Sequence, residues 1–275
     1  MKCLCTILGI LFAFVGPVSA DQITLFGRSF DKSLAIYGSF TVPPDPTERA
    51  RDNAKFELYV KPSITLHKFS DTTALVGYST LAIIGNAEGH DYDNKVTFLV
   101  GAEIQHRLSP AVRLSFGAHL KSELEFATRV TRTRAVLAAD LNLYKTSEPK
   151  WIKTRLRDGS RLVLSGWANY RYPGSLHATE KHNGLLQGSL KLAVSVPFKD
   201  TRMAIAPFMS IKAKADHKGR AFNNVLEPAI GIDLKIPFRQ SGEIAVGTKA
   251  VYQWRHATGT SASGILGYVK WYKEF

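Results

Sequence analysis

Eight histidines, at positions 67, 90, 106, 119, 177, 182, 217 and 256, are the first candidates for proton transfer in this chain. They are scattered. No HExxH sets two of them on one helical face for zinc, and no G-x-S-x-G presents a serine nucleophile. The only thiols, Cys3 and Cys5, lie at the extreme N-terminus. Hydrolytic chemistry needs a nucleophile with a histidine in hydrogen-bond reach, or paired carboxylates. Neither pattern is present, so the sequence predicts no enzyme, no cofactor and no metal centre. Glu88, Asp91 and Asp93 in GNAEGHDYDN offer hard oxygen ligands of the kind calcium takes. Such a run reads first as a solvated loop. His119, beside Lys121, is expected on a lumen wall, and His106 at an interface.

What the chain offers in quantity is positive charge: 36 Lys+Arg against 23 Asp+Glu in 275 residues. The elements that carry it alternate with a period of two, the spacing that sends successive side chains to opposite faces of a strand. In 94–107, Val96, Phe98, Val100, Ala102 and Ile104 share one face while Lys95, Thr97, Glu103, Gln105 and Arg107 share the other. Twelve such segments are read, at 33–42, 54–68, 72–84, 94–107, 110–121, 133–145, 160–172, 184–196, 202–214, 224–236, 243–255 and 264–275. Their polar faces carry Lys61, Lys95, Arg107, Arg113, Lys121, Arg134, Arg161, Arg171, Lys191, Lys212, Lys214, Lys235, Lys249, Arg255 and Lys270, with Lys55 and Arg202 besides. Seven anions share that face: Glu57, Glu103, Asp140, Glu227, Asp233, Glu243 and Glu274. The apolar face has charges only at Lys68 and Lys273, near segment ends, where a long stem can snorkel.

Segments of this length suit a tilted transmembrane strand, which needs about 9–11 residues, better than the usual soluble strand of about 5–6. Long connections such as PPDPTERARDN and PGSLHATEKHNG alternate with tight ones such as FSDT and LSP. An even strand count with long loops at one end and short turns at the other is the habit of outer-membrane barrels. The exception is 146–160, on the short-turn side, which reads as a half-strand hairpin turning at Asp158-Gly159 or as a periplasmic flap. Pro62, Pro207 and Pro228 fall inside strands and call for bulges or local irregularity, since a closed barrel has no free edge.

Residues 1–20 have the layout of a secretory signal peptide: Lys2, an apolar stretch from Leu4 to Val15, then Val18-Ser19-Ala20. Residues 21–275 are expected to form one barrel domain without cysteine. Beyond residue 20 no apolar run approaches the roughly 18 residues of a membrane-spanning helix.

The chain ends GILGYVKWYKEF, an alternating strand closed by Phe275. It resembles the Gram-negative outer-membrane β-barrel proteins as a class, porin-like and of about 12 strands. That resemblance implies an all-β, closed, antiparallel, up-and-down transmembrane barrel in the bacterial outer membrane, delivered by the barrel-assembly machinery through Phe275. Trp271, Tyr272, Tyr252, Trp254, Tyr170 and Tyr172 sit where interfacial aromatic belts would. The closing segment from Val251 is also similar to the C-terminal barrel of the bacteriophage N4 adsorption protein, whose helical-repeat region has no counterpart here.

A barrel lined by an excess of cations concentrates anions. The expected function is passive passage of anionic small solutes or acidic oligosaccharides. The alternative is a non-conducting envelope barrel in polysaccharide export, or a surface receptor or assembly component. Nucleic acid is rejected as a partner, because the cations are spread one or two per strand and the chain is exported.

Overall fold

In the computed structural model the described residues are 22–25, 28–47, 53–88, 94–177, 180, 182–199, 201–220, 222–238 and 242–274. The expected signal peptide, Asp91, Asp93 and Phe275 lie outside them. A short strand β1 (Gln22–Leu25) precedes twelve long ones: β2 (Arg28–Val42), β3 (Lys55–Lys68), β4 (Thr73–Asn86), β5 (Lys95–Ser109), β6 (Val112–Glu125), β7 (Thr131–Ser147), β8 (Arg161–Tyr172), β9 (Leu185–Pro197), β10 (Ala204–Asp216), β11 (Val225–Phe238), β12 (Gly242–Arg255) and β13 (Thr260–Glu274). From β2 onward each strand pairs antiparallel with its sequence neighbour, and β13 pairs back onto β2, which closes a twelve-stranded up-and-down barrel. β1 folds back on Arg28–Asp31.

The alternation decides which side faces in. Val100, Ile104, Phe116, Leu120, Leu186, Met209, Ile230 and Ile265 are exposed, while Thr97, Glu103, Ser115, His119, Glu123 and Asp233 are buried. In a water-soluble domain that ordering would be inverted. A closed cylinder leaves no unpaired edge, keeps its polar groups inside and turns apolar side chains outward; that is the architecture of a bacterial outer-membrane barrel.

Two local devices make closure possible. The prolines each open the hydrogen-bond ladder on one side only: pairing skips Lys61-Pro62 between β3 and β4, Ala206-Pro207 between β9 and β10, and Glu227-Pro228 between β11 and β12. On the other side Pro62, Pro207 and Pro228 remain in register with Leu34, Ile232 and Ile211. At the seam, Gly38 lies directly opposite Trp271, and a Cβ built on it would meet the indole at 1.9 Å. The ring covers the glycine and packs near Phe56, with centroids 6.1 Å apart, which pins the register.

The segment after β7 departs from the first of its two expected forms. In place of a half-strand hairpin it forms a single-turn helix α1 (Lys150–Arg155), whose Ile152 is fully buried and whose Trp151 is exposed. Pro149 precedes it and fixes an extended φ/ψ before the first turn. Gly159, at φ +81°, supplies the left-handed turn expected at Asp158-Gly159. Arg202 sits in the turn ahead of β10 and so does not belong to a strand face.

Candidate functional site: the barrel interior

On the β3–β8 side, inward-pointing positions build an interior chamber of about 380 Å³. Gly101 and Gly117 let β5 and β6 approach closely, since a Cβ built on either would meet the partner strand's backbone at 2.3 and 2.2 Å. The chamber is lined by Lys61, Tyr78, Glu103, Arg113, His119 and Arg171 among others. Most are tied together. Lys61 Nζ approaches the buried Glu103 at 3.3 Å, and Gln105 Nε2 donates to the same carboxylate at 2.8 Å. Arg171 Nη2 donates to Asp140 Oδ1 at 2.6 Å. The Tyr78 hydroxyl meets His119 Nδ1 at 3.0 Å, and the Lys61 ammonium stands 4.3 Å from the Tyr78 ring centroid. Nearer the long-loop end, Lys121 and Lys95 both reach Glu123, at 2.9 and 3.4 Å.

The β9–β13 side is different. Asp233, buried, takes Lys191 and the Tyr268 hydroxyl on its two oxygens, and the Lys191 ammonium lies 3.8 Å from the Phe208 ring centroid. Lys212 reaches Glu227 at 3.4 Å and Lys235 reaches Glu243 at 3.0 Å. Lys214, Lys249 and Lys270 have no carboxylate within ion-pair distance among the described residues. Lys270 is held instead over the Tyr268 ring, 4.4 Å from its centroid. It lies within electrostatic range of Lys249, Lys191 and Lys212. Lys214 is within range of Lys55 on β3, so charges from two walls meet across the bore.

The remaining expected positions lie nearer the ends. Arg107 donates to the Asp71 carbonyl at 3.0 Å, and Arg161 pairs with Glu148 at 3.3 Å, both at the short-turn end. Arg255, at the opposite end of β12, donates to Gln253 at 3.0 Å. Arg134 carries a buried Nη1 without a hydrogen-bond partner among the described residues. Tyr272 stands on the same face as Lys270 and donates to Glu274, so it points into the barrel and not into an aromatic belt. Tyr252 and Trp254 are exposed on the outer face. Alternation places Tyr78 and His119 inward; nothing in their separation of 41 residues announced that they touch.

At the long-loop end the connections interlock. Asn183 and Asn223 donate to Asp216 at 3.0 and 2.6 Å, Arg220 pairs with Glu180 at 3.0 Å, and Leu176 is buried. Glu125, at the tip of β6, binds Arg132 and lies 3.3 Å from His177 Nε2, tying the loop after β8 to the β6–β7 hairpin. No grouping of three or more metal-binding side chains occurs among the described residues, and Asp91 and Asp93 are not among these.

No family model matches the chain, and no curated protein does. Among solved structures it is similar to the β-domain of the Bordetella autotransporter BrkA, at 8% identity over 89% of this chain and 98% of that one, with a TM-score of 0.45. An outer membrane channel from Pseudomonas putida F1 matches at 10% identity over 94% and 98%, TM-score 0.44. The KdgM porin matches at 11% identity over 88% and 99%, TM-score 0.37. Likeness at this distance says nothing of activity.

Proposed function

We propose that this barrel is a passive outer-membrane channel that favours anions. The observation that carries the reading is the group Lys214, Lys249 and Lys270, which point inward and have no carboxylate at ion-pair distance among the described residues; further lysines lie within electrostatic range of them, as do Asp216, Glu227 and Asp233. Exposed ion pairs nearly cancel as seen by a passing ion, whereas uncompensated ammonium groups inside low-dielectric walls raise local anion concentration. Expected occupants are anionic small solutes, acidic oligosaccharides included. By the loop-length rule the long-loop end faces outward and the short-turn end the periplasm.

The interlocked loops over the outer mouth favour a second reading, a non-conducting barrel that serves as a surface receptor or in polysaccharide export. Single-channel recording of the full barrel in a planar bilayer separates the two. A conducting pore whose reversal potential in asymmetric KCl reports chloride over potassium supports the channel. A barrel that is folded by its heat-modifiable gel mobility yet never conducts supports the second.

A further inference from the structure

The channel reading leaves the segment after β7 without a role. Its single-turn helix α1 stands at the short-turn end, held by the fully buried Ile152, while Trp151 stays exposed. Trp151 nonetheless has neighbours. With Leu162, Val194, Pro207, Ile232 and Thr248 it lines a hollow of about 750 Å³ on the outer face of the barrel. A second hollow of about 920 Å³ shares Leu192, Met209, Ile230, Ala250 and Ile265 with the first, so the two form one groove.

Register gives the groove its course. Leu164, Leu192, Met209, Ile230, Ala250 and Ile265 are paired one to the next from β8 to β13, a row of outward side chains. Met209, Ile230 and Ile265 are 60% to 72% exposed, and the short Pro207, Thr248 and Ala250 leave the hollow among them. The row is oblique. Leu164 lies near the short-turn end of β8, whereas Ile265 lies nearer the long-loop end of β13. Interstrand steps of about 4.8 Å carry the row roughly 24 Å across the wall. At a strand tilt of about 45° it rises through roughly 17 Å, about one leaflet of a hydrocarbon core roughly 30 Å thick.

Positive charge meets the groove at its Trp151 end. Lys150, Arg155 and Arg157 are exposed and make no ion pair among the described residues, Glu148 being paired with Arg161. Arg155, one helical turn on from Trp151, shares its face of α1. A tryptophan and several cations at a bilayer boundary suit an anionic head group. We infer that the groove holds one anionic phospholipid of the periplasmic leaflet, its phosphate at Lys150 and Arg155 and one acyl chain laid along the row from Trp151 toward Ile265. The short-turn end faces the periplasm by the loop-length rule, so a lipopolysaccharide head group would lie at the opposite end from α1. A second copy of the chain pressed on this face would cover the apolar row yet leave the three cations unanswered. The site does not depend on conduction.

The test is native mass spectrometry of the full barrel, released from detergent after titration with phosphatidylglycerol or with phosphatidylcholine of identical tails. One phosphatidylglycerol is expected to stay bound, at least about tenfold more tightly than phosphatidylcholine, since each lysine or arginine beside an anionic lipid adds attraction that a zwitterion lacks. Lys150→Gln combined with Arg155→Gln should erase that preference. Lys68→Gln, at the short-turn end of β3 on the far side of the barrel, should leave it intact. Ala250→Phe fills the groove without altering charge and should weaken both lipids at least about fivefold. Each variant is first shown to keep native heat-modifiable gel mobility. Equal affinity for the two lipids, a preference that survives the double substitution or falls as far with Lys68→Gln, or binding untouched by Ala250→Phe overturns the proposal. So does a barrel that retains lipopolysaccharide in preference to either lipid, or one that forms a dimer with no lipid attached.

Discussion

The two walls of this barrel spend their charge differently. On β3–β8 the interior lysines are matched, Lys61 to Glu103 and Lys95 and Lys121 to Glu123, as is Arg171 to Asp140, and around these groups a cavity opens, while the cations left without a carboxylate there are arginines, Arg107, Arg113 and Arg134. On β9–β13 Lys214, Lys249 and Lys270 go without carboxylate partners at ion-pair distance among the described residues, and Lys270 alone of the three rests on an aromatic ring, that of Tyr268. The difference teaches that a count of lumen charges conflates two roles. Matched pairs brace the wall and shape a space, while unmatched ammonium groups set its potential. An ion pair in a half-buried setting roughly breaks even in stability, so the braced wall gains mainly geometry.

The sharpest way to break the comparison is to remove a carboxylate from each side. Asp233→Ala strands Lys191 and the Tyr268 hydroxyl around a buried site and should cost about 3–5 kcal/mol. Asp140→Ala leaves Arg171 about a quarter exposed and should cost only about 1 kcal/mol. Urea unfolding in detergent micelles, followed by gel mobility, compares the two; equal losses would mean the walls are alike. Next comes the seam where the walls join. Gly38→Val drives a side chain into the Trp271 indole and should cost roughly 1–3 kcal/mol by overpacking, read as a lower temperature for loss of the fast-migrating form.

A smaller effect bears on ion selectivity. Lys249→Glu combined with Lys270→Glu should lower the chloride-to-potassium permeability ratio about five- to tenfold, the change that roughly 1 kcal/mol along the ion path brings. Lys121→Glu, on the matched wall, should move the ratio less than that pair does, and the opposite ranking would count against the lysine wall as the source of selectivity. The smallest concerns the outer mouth. Glu125→Gln loosens the contacts to Arg132 and His177 by about 0.5–1 kcal/mol, and should show as faster tryptic cleavage in the loop after β8 without loss of the barrel.

Much of the fold was legible because a strand that faces lipid on one side and a polar interior on the other has to alternate at every residue. All twelve long strands stand where period-two segments are read, with ends displaced by a few residues, largest at the start of β2 and next at β6 and β13. The segment 146–160 was not legible: with Pro149 before it and Gly159 after it, Trp151 and Ile152 pack by tertiary contact, and a single helical turn has too few residues to show a period. β1 went unread because four residues carry no pattern. The prolines signalled irregularity without saying which ladder would open. The Tyr272 side chain was misassigned to a belt by its proximity to the strand end, when parity already paired it with Lys270 and Glu274.

By itself the sequence determined the cylinder and the sorting of its surfaces, because alternation is local and lipid enforces it residue by residue. Only the tertiary structure decided which lysines met carboxylates, which side chains gathered around a chamber, and that Arg107 would stand against Arg113. Those facts depend on register between strands and on contacts across the bore, distances that no spacing along one chain encodes.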